Sequence, residues 1–176
     1  LNHIAKLDDR YKKLLFKQRM ELLGSFTVFL LGIVLIFVGL RTKNIMREEQ
    51  YESYILEMEN AVAAYDQEAF EENYMACIAL NPSDPRAHYE NAVWLYKNRD
   101  YEECMAYIEQ LFEQHPMEDT VVIANLYLLL GNCYYEEGDI GNAVQVLEKA
   151  LEYDGQNKAI YRDLAIAYAG AGRVDE

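Results

Sequence analysis

Apolar and polar positions follow three different patterns along the chain. Residues 22–40 contain no charged side chain, and Ser25 and Thr27 are the only polar ones among them. From residue 46 onward, apolar side chains recur three and four positions apart, the spacing typical of amphipathic helices. Residues 1–21 mix basic and apolar positions. The pattern therefore predicts an all-α chain in which one wholly apolar helix is followed by a series of amphipathic ones.

Two amphipathic helices are clearest over residues 124–137 and 140–153. Each carries one apolar stripe, and Gly138-Asp139 between them indicates a turn, since Gly adopts the left-handed conformation that ends many helices. The two stripes consist of Leu126, Leu129, Leu130, Cys133 and Tyr134, and of Ala143, Val144, Leu147, Ala150 and Leu151.

The first of these helices is repeated after 34 residues. Tyr127, Leu130, Gly131, Tyr134 and Gly138 return as Tyr161, Leu164, Ala165, Tyr168 and Gly172. A fixed period of this length is the signature of stacked helical repeats. The pattern, completed by a small residue at Ala143 and an apolar one at Leu147, resembles the tetratricopeptide repeat family. That resemblance implies an α-solenoid of helical hairpins whose first helices line a groove for a peptide or protein.

Weaker repeats precede this one. In residues 86–116 we assign Tyr89, Ala92-Val93 and Tyr96 to the first-helix pattern, with Asp100-Tyr101 as a turn one residue shorter than Gly138-Asp139. An insertion of about five residues follows, by comparison with the 34-residue period. Residues 41–82 are predicted to form a stalk helix and a degenerate first hairpin, as terminal repeats often do. Residues 86–176 form the later repeats. Because the chain starts without Met and stops inside a repeat, we expect it to be an excerpt.

The apolar segment from Leu22 to Leu40 has the length of a transmembrane helix. Its 19 residues, at about 1.5 Å each, nearly match the roughly 30 Å hydrocarbon core of a bilayer. A cleaved signal peptide is the alternative, disfavoured because Arg41-Thr42-Lys43 stands where small residues are expected. Small residues every seven positions would let two such helices pack closely as a homodimer, but a plain anchor is the stronger alternative, because Gly is common in membrane helices and no GxxxG is present. The small residues are Ser25, Gly32 and Gly39.

Basic residues predict the orientation of the span. Six Lys and Arg precede it and three follow closely, and the richer side is usually cytoplasmic. We therefore expect residues 1–21 to be a cytoplasmic juxtamembrane segment, with the repeats outside, in a bacterial plasma membrane. The basic segment is either an amphipathic helix on anionic lipid or a solvated linker.

The part after residue 40 is strongly acidic. Ten Lys and Arg stand against 27 Asp and Glu, a formal charge of −17. This composition excludes nucleic acid as a partner, because phosphate binding requires a basic face. The charge is either a solvated surface or a field that favours basic ligands.

Catalytic and metal-binding patterns are not found in the sequence. His3, His88 and His115 are scattered, without a second ligand at metal-binding spacing, so no metal is expected. Three cysteines on apolar stripes are predicted to be buried thiols, with an oxidised pair as the alternative; they are Cys77, Cys104 and Cys133. No phosphate loop or nucleophile motif occurs. We expect neither catalysis nor a cofactor in this segment.

The residues predicted to face the groove lie one step off the packing stripes of the first helices. They are Glu90, Asn91, Trp94, Lys97, Asn125, Leu128, Asn132, Tyr135, Arg162 and Ile166. Trp94 is either a groove residue, which we favour because Trp often carries binding energy, or a core residue. Some relatives grip a terminal carboxylate with several bases. Only Lys97 and Arg162 are basic here, which argues against such a clamp.

Three functions fit these patterns. The favoured one is a membrane-anchored interaction module that binds a protein or peptide. The second is the sensing or recruiting part of a membrane enzyme, since the order of basic segment, span and repeats resembles some bacterial membrane Ser/Thr kinases. The third is an assembly scaffold of the cell envelope. No kinase motif lies in these residues.

Overall fold

The computed structural model describes residues 2–114 and 117–172, with side chains from residue 10 onward. Predictions that concern His3 and His115 lie outside these side chains. The described residues form α-helices and no strand, in agreement with the predicted all-α class. The helices are α1 (Asn2–Ala64), α2 (Gln67–Leu80), α3 (Pro85–Lys97), α4 (Tyr101–Gln114), α5 (Thr120–Glu136), α6 (Ile140–Tyr153) and α7 (Lys158–Gly170).

The chain divides into two units, residues 1–49 and residues 50–176. In the first unit, one stretch of α1 is long and apolar enough to cross a membrane, by length and composition, and none of it is buried. The Thr27 hydroxyl donates to the carbonyl of Gly24 at 2.8 Å, and Thr42 donates to that of Gly39 at 2.9 Å. Both hydroxyls therefore find partners within their own helix. Membrane crossing stays a prediction.

The second unit is built from helical hairpins that share a continuous core. Residues 50–64 of α1 pack against α2 and α3, α4 packs between α3 and α5, and α6 packs between α5 and α7. We call residues 50–64 and helices α3, α5 and α7 the first helices. The predicted burial of Cys77, Cys104 and Cys133 as free thiols is confirmed.

Every first helix ends at a residue in the left-handed conformation. These residues are Tyr65, Arg99, Gly138 and Gly172, with φ of 56°, 67°, 82° and 75°. After the first three comes an aspartate whose N–H donates to the carbonyl five positions earlier, at 2.9–3.0 Å. This is the Schellman end of a helix, a position that usually requires Gly. The structure thus marks equivalent positions in repeats of unlike sequence.

These helix ends correct the predicted register of the second repeat by one residue. Arg99 and Gly138 are 39 residues apart, whereas pairing Tyr89 with Tyr127 implies 38. The two turns are equally long, so the shorter turn expected at Asp100 is not found. The corrected register superposes an aromatic ring in every repeat. The equivalent residues are Tyr54, His88, Tyr127 and Tyr161.

Two helices of the third repeat pass close to each other at Gly131. A Cβ atom there would lie 2.6 Å from Cγ of Leu147, which is 1% exposed. Ala92 is the equivalent residue in the second repeat, and its carbonyl accepts from the Cys104 thiol at 3.2 Å. The second and third repeats thus carry small residues where their two helices pass close to each other.

Candidate functional site

A pocket of about 330 Å³ opens on three successive first helices. One lining residue comes from α3, three from α5, one from α6 and three from α7. They are Tyr96, Asn132, Tyr135, Glu136, Leu147, Arg162, Asp163 and Ile166. The pocket therefore lies at the junction of the second, third and fourth repeats.

Asp163 organises the polar side of the pocket. Its carboxylate accepts a hydrogen bond from Nδ2 of Asn132 at 3.1 Å and one from Nε of Arg162 at 2.6 Å. The neighbouring carboxylate of Asp163 raises the pKa of Arg162. Since the Arg162 side chain is 69% exposed, most of its guanidinium donors face solvent. Asp163 thus orients an amide and a guanidinium from two different repeats.

The remaining lining is aromatic and apolar. Burial, followed by the nearby carboxylate of Glu136, raises the pKa of Tyr96 to about 12, so its phenol is neutral at physiological pH. Leu147 is buried at the pocket floor, whereas Ile166 is 47% exposed. Donors, acceptors and an apolar surface are the features of a binding pocket for a partly polar side chain. Within the described residues, no group of three or more His, Cys, Asp or Glu is suited to hold a metal ion.

The structure brings four of the predicted groove residues together and leaves three others on the first helices outside the pocket lining. Asn132, Tyr135, Arg162 and Ile166 line the pocket. Lys97 is exposed, and Leu128 is half-buried against the core of the last repeats. Asn125 lies within 3.4 Å of Asn157, which donates to it.

Two further assignments, Asn91 and Trp94, are corrected because the predicted register of α3 is displaced by one residue, and a third, Glu90, is more deeply buried than expected. Trp94 is half-buried and stacks on Phe70 in the core of the first hairpin. Asn91 approaches the hydroxyl of Tyr107 instead of the groove. Glu90 is only 9% exposed. In the corrected register the helix turns by about 100° per residue, which moves Asn91 and Trp94 away from the groove face, whereas Glu90 becomes the equivalent of Asp163, which lines the pocket.

The sequence pattern does not predict four of the lining residues: Tyr96, Glu136, Leu147 and Asp163. Tyr96 had been assigned to packing, but it is the equivalent of Tyr135 once Arg99 is paired with Gly138. The aspartates that follow the helix ends were the available signal. Asp66, Asp100 and Asp139 stand at the same place in three repeats.

A polar cluster lies between α2, α3 and α4, away from the pocket. Nε2 of His88 lies 3.0 Å from the carbonyl of Pro82, which only accepts, so Nε2 carries the proton. Nδ1 of the same ring is hydrogen-bonded to the hydroxyl of Tyr107 at 2.7 Å, and that hydroxyl is hydrogen-bonded to the hydroxyl of Tyr74 at 3.2 Å. His88 is thus a structural residue that links three helices.

Comparisons with known proteins find a family model, a relative and a solved structure that resemble parts of this chain. Residues 134–176 match the model of the Tetratricopeptide repeat family. Anaphase-promoting complex subunit 3 of Dictyostelium discoideum is 29% identical over 87 residues, 49% of this chain. The match spans 8% of the length of that relative. The N-terminal domain of stress-induced protein-1 from C. elegans is similar with a TM-score of 0.49 and 22% identity, over 67% of this chain and 96% of that one. The family match supports a tetratricopeptide-like organisation of the repeats.

Proposed function

We propose that this chain is a membrane-anchored interaction module that binds a protein or peptide partner through the first helices. The observation that carries the proposal is the pocket shared by α3, α5 and α7, which offers an apolar floor beside oriented polar groups. Stacked repeats of this kind present extended surfaces for partners. The partner's polypeptide would place one partly polar side chain in the pocket.

Exposed donors support recognition of a peptide. The Arg162 guanidinium has donors to spare beyond its bond to Asp163, and its position is fixed by that bond. Ile166 next to it provides exposed apolar surface. A side chain with an apolar stem and a polar tip matches this combination better than a purely apolar one, because it leaves neither surface unpaired.

Anchoring of the module in a membrane rests on the apolar part of α1. Residues 22–40 carry no charge, and the stretch is exposed along its length. Exposed apolar side chains over this distance are stable in lipid and costly in water. The excess of bases before the span supports a cytoplasmic N-terminal side and repeats on the outer face of a bacterial plasma membrane.

Peptide display on the full chain in detergent tests the binding proposal. Peptides enriched on this chain over empty micelles are compared on Ile166→Glu and on Val121→Glu. The second variant makes a similar exchange at an exposed position outside the pocket lining. We expect Ile166→Glu to weaken the enriched peptides about tenfold, the scale of a moderate hot spot. Enrichment that both variants preserve equally would place binding elsewhere and contradict the proposal.

Protease accessibility tests the orientation. Intact cells, or protoplasts where a wall shields the surface, are treated with proteinase after a tag has been fused before Leu1. The proposal expects digestion of the repeats and survival of the tag. Loss of the tag with intact repeats would reverse the orientation, and the pocket would then face cytoplasmic partners.

A further inference from the structure

In the corrected register, the same two positions face each other between each pair of successive first helices, so this contact occurs three times. In the last pair of repeats the contact joins Asn132 and Asp163, which are hydrogen-bonded. One repeat earlier, the equivalent residues are Val93 and Leu129, both in the same apolar cluster. In the first pair they are Glu59 and Glu90. The same position thus holds an amide with an acid, two apolar groups, and two acids.

The pair of acids is the exception because neither member can donate a hydrogen bond when ionised. Glu90 is more than nine-tenths buried, and among the described residues no hydrogen bond or ion pair to it is found. A buried carboxylate without a partner is unfavourable by a margin that proteins seldom tolerate. Neither carboxylate oxygen of Glu90 is fully enclosed, however, so solvent still reaches both.

The position of Glu59 places this pair on the same face as the pocket. Its equivalents in the third and fourth repeats, Asn132 and Ile166, both line the pocket. Glu59 is itself exposed, on residues 50–64. A polypeptide lying along the first helices would therefore pass both the pocket and the acid pair.

We infer that Glu59 and Glu90 form a subsite for one cationic side chain, Lys or Arg, of the bound partner. The cation would supply the donors that Asn132 supplies to Asp163 in the last repeats. A charge-assisted hydrogen bond to a carboxylate is about twice as strong as a neutral one. This inference rests on the proposed function, since it names the chemistry of one residue of the partner.

The ionisation of Glu90 makes the subsite depend on pH. Burial, and then the negative charge of Glu59, raise the pKa of Glu90 to about 7. Glu59 of α1 is the charged group that acts on it among the described residues, and Tyr89 is the neighbouring ionisable group on α3 itself. Because a cation binds the deprotonated form, its affinity falls as pH is lowered through about 7.

A small cation tests the inference on the full chain in detergent micelles. Glutamate labelled with ¹³C at the carboxyl carbon reports each side chain by NMR, and Glu90→Gln identifies the Glu90 resonance. The probe is n-butylguanidinium, and n-butylurea is its uncharged counterpart. We expect a saturable shift of the Glu90 resonance with the guanidinium alone, and a lower pH midpoint for its titration.

Two variants separate the subsite from the overall acidity of the chain. Glu59→Gln should weaken the probe about tenfold, the effect of losing one charge-assisted contact. Glu113→Gln removes an equal charge from an exposed position of α4 and should leave the affinity unchanged. If the Glu90 resonance titrates identically with and without the probe, the two carboxylates bind protons but no cationic side chain. If peptide binding still depended on Ile166 in that case, the proposed function would stand and only the subsite would be contradicted.

Discussion

The indole of Trp94 lies face to face with the phenyl ring of Phe70, with ring centroids 4.7 Å apart and planes inclined by 9°. Phe70 is 2% exposed and belongs to α2, whereas Trp94 belongs to α3. The stack therefore joins the first repeat to the second. It explains why the single Trp of the chain lies in the protein's packing and outside the pocket lining.

Replacing Trp94 with Ala should reduce the free energy of unfolding by about 2–3 kcal/mol, less than for a fully buried aromatic residue because the ring is half exposed. Urea unfolding of the full chain in detergent, followed by circular dichroism, measures this loss. Trp94→Phe keeps a stacked ring and should retain most of the stability. An alanine variant as stable as the parent that loses peptide binding would restore the groove assignment of Trp94.

Gly131→Ala should destabilise the third repeat. The new methyl group meets Leu147 at 2.6 Å, and that side chain is enclosed. Overpacking of this kind costs about 1–3 kcal/mol, of which the better helix propensity of Ala returns up to about 1. The matched control is Gly141→Ala, because the nearest atom to its added methyl is 3.8 Å away. That variant should gain about 0.5 kcal/mol in urea unfolding. Equal effects of the two changes would contradict the close approach.

Glu90→Gln should stabilise the protein at neutral and higher pH. The pKa of Glu90 is raised from 4.5 to about 7 in the folded state, so its protonated form favours folding. This contribution is complete below about pH 4.5 and is lost as the pH rises through about 7. The variant should thus exceed the parent by about 2 kcal/mol at pH 8 and by little at pH 4. Unfolding curves at several pH values measure the difference, and a pH-independent gap would argue against a titrating Glu90.

The span should self-associate through its small residues. No atom lies within 4 Å of a Cβ added to Gly32 or Gly39, so this face is open to another helix. In lipid, close van der Waals packing is a main source of helix association. A membrane reporter assay should show a lower signal for Gly32→Ile and Gly39→Ile than for the parent. Val34→Ile, on the opposite face, is the control. Equal signals from every variant would make the span a plain anchor.

The sequence predicted the repeats well where a residue type is physically constrained. Gly138 and Gly172 are 34 residues apart and both adopt φ above 70°, so one period located two helix ends. The second repeat was harder, because Arg99 takes the same conformation without being Gly. An alignment on aromatic residues then placed Tyr89 where His88 belongs. This error of one residue was enough to assign residues that pack against neighbouring helices, such as Trp94, to the groove.

The candidate site was predictable only in part, since a pocket depends on how successive repeats pack. Asn132 and Arg162 are predictable because they lie off the packing stripe of their own helix, and that stripe can be read from the sequence of one helix alone. The role of Asp163 was not, because it arises from a contact with Asn132, 31 positions away. Glu90 showed the opposite problem. It was expected to face the groove because it lies one step off the packing stripe, whereas neighbouring helices leave only 9% of it exposed.

The contact between successive first helices differs in chemistry from one pair of repeats to the next, which limits the loss or gain of single repeats. Excision of the third repeat would bring Val93 against Asp163 and bury an acid without its amide. Excision of the second would set Glu59 against Leu129 and leave a carboxylate on an apolar surface. Each repeat therefore accepts only its own neighbours. Deletion of one of these repeats should therefore destabilise the remaining stack.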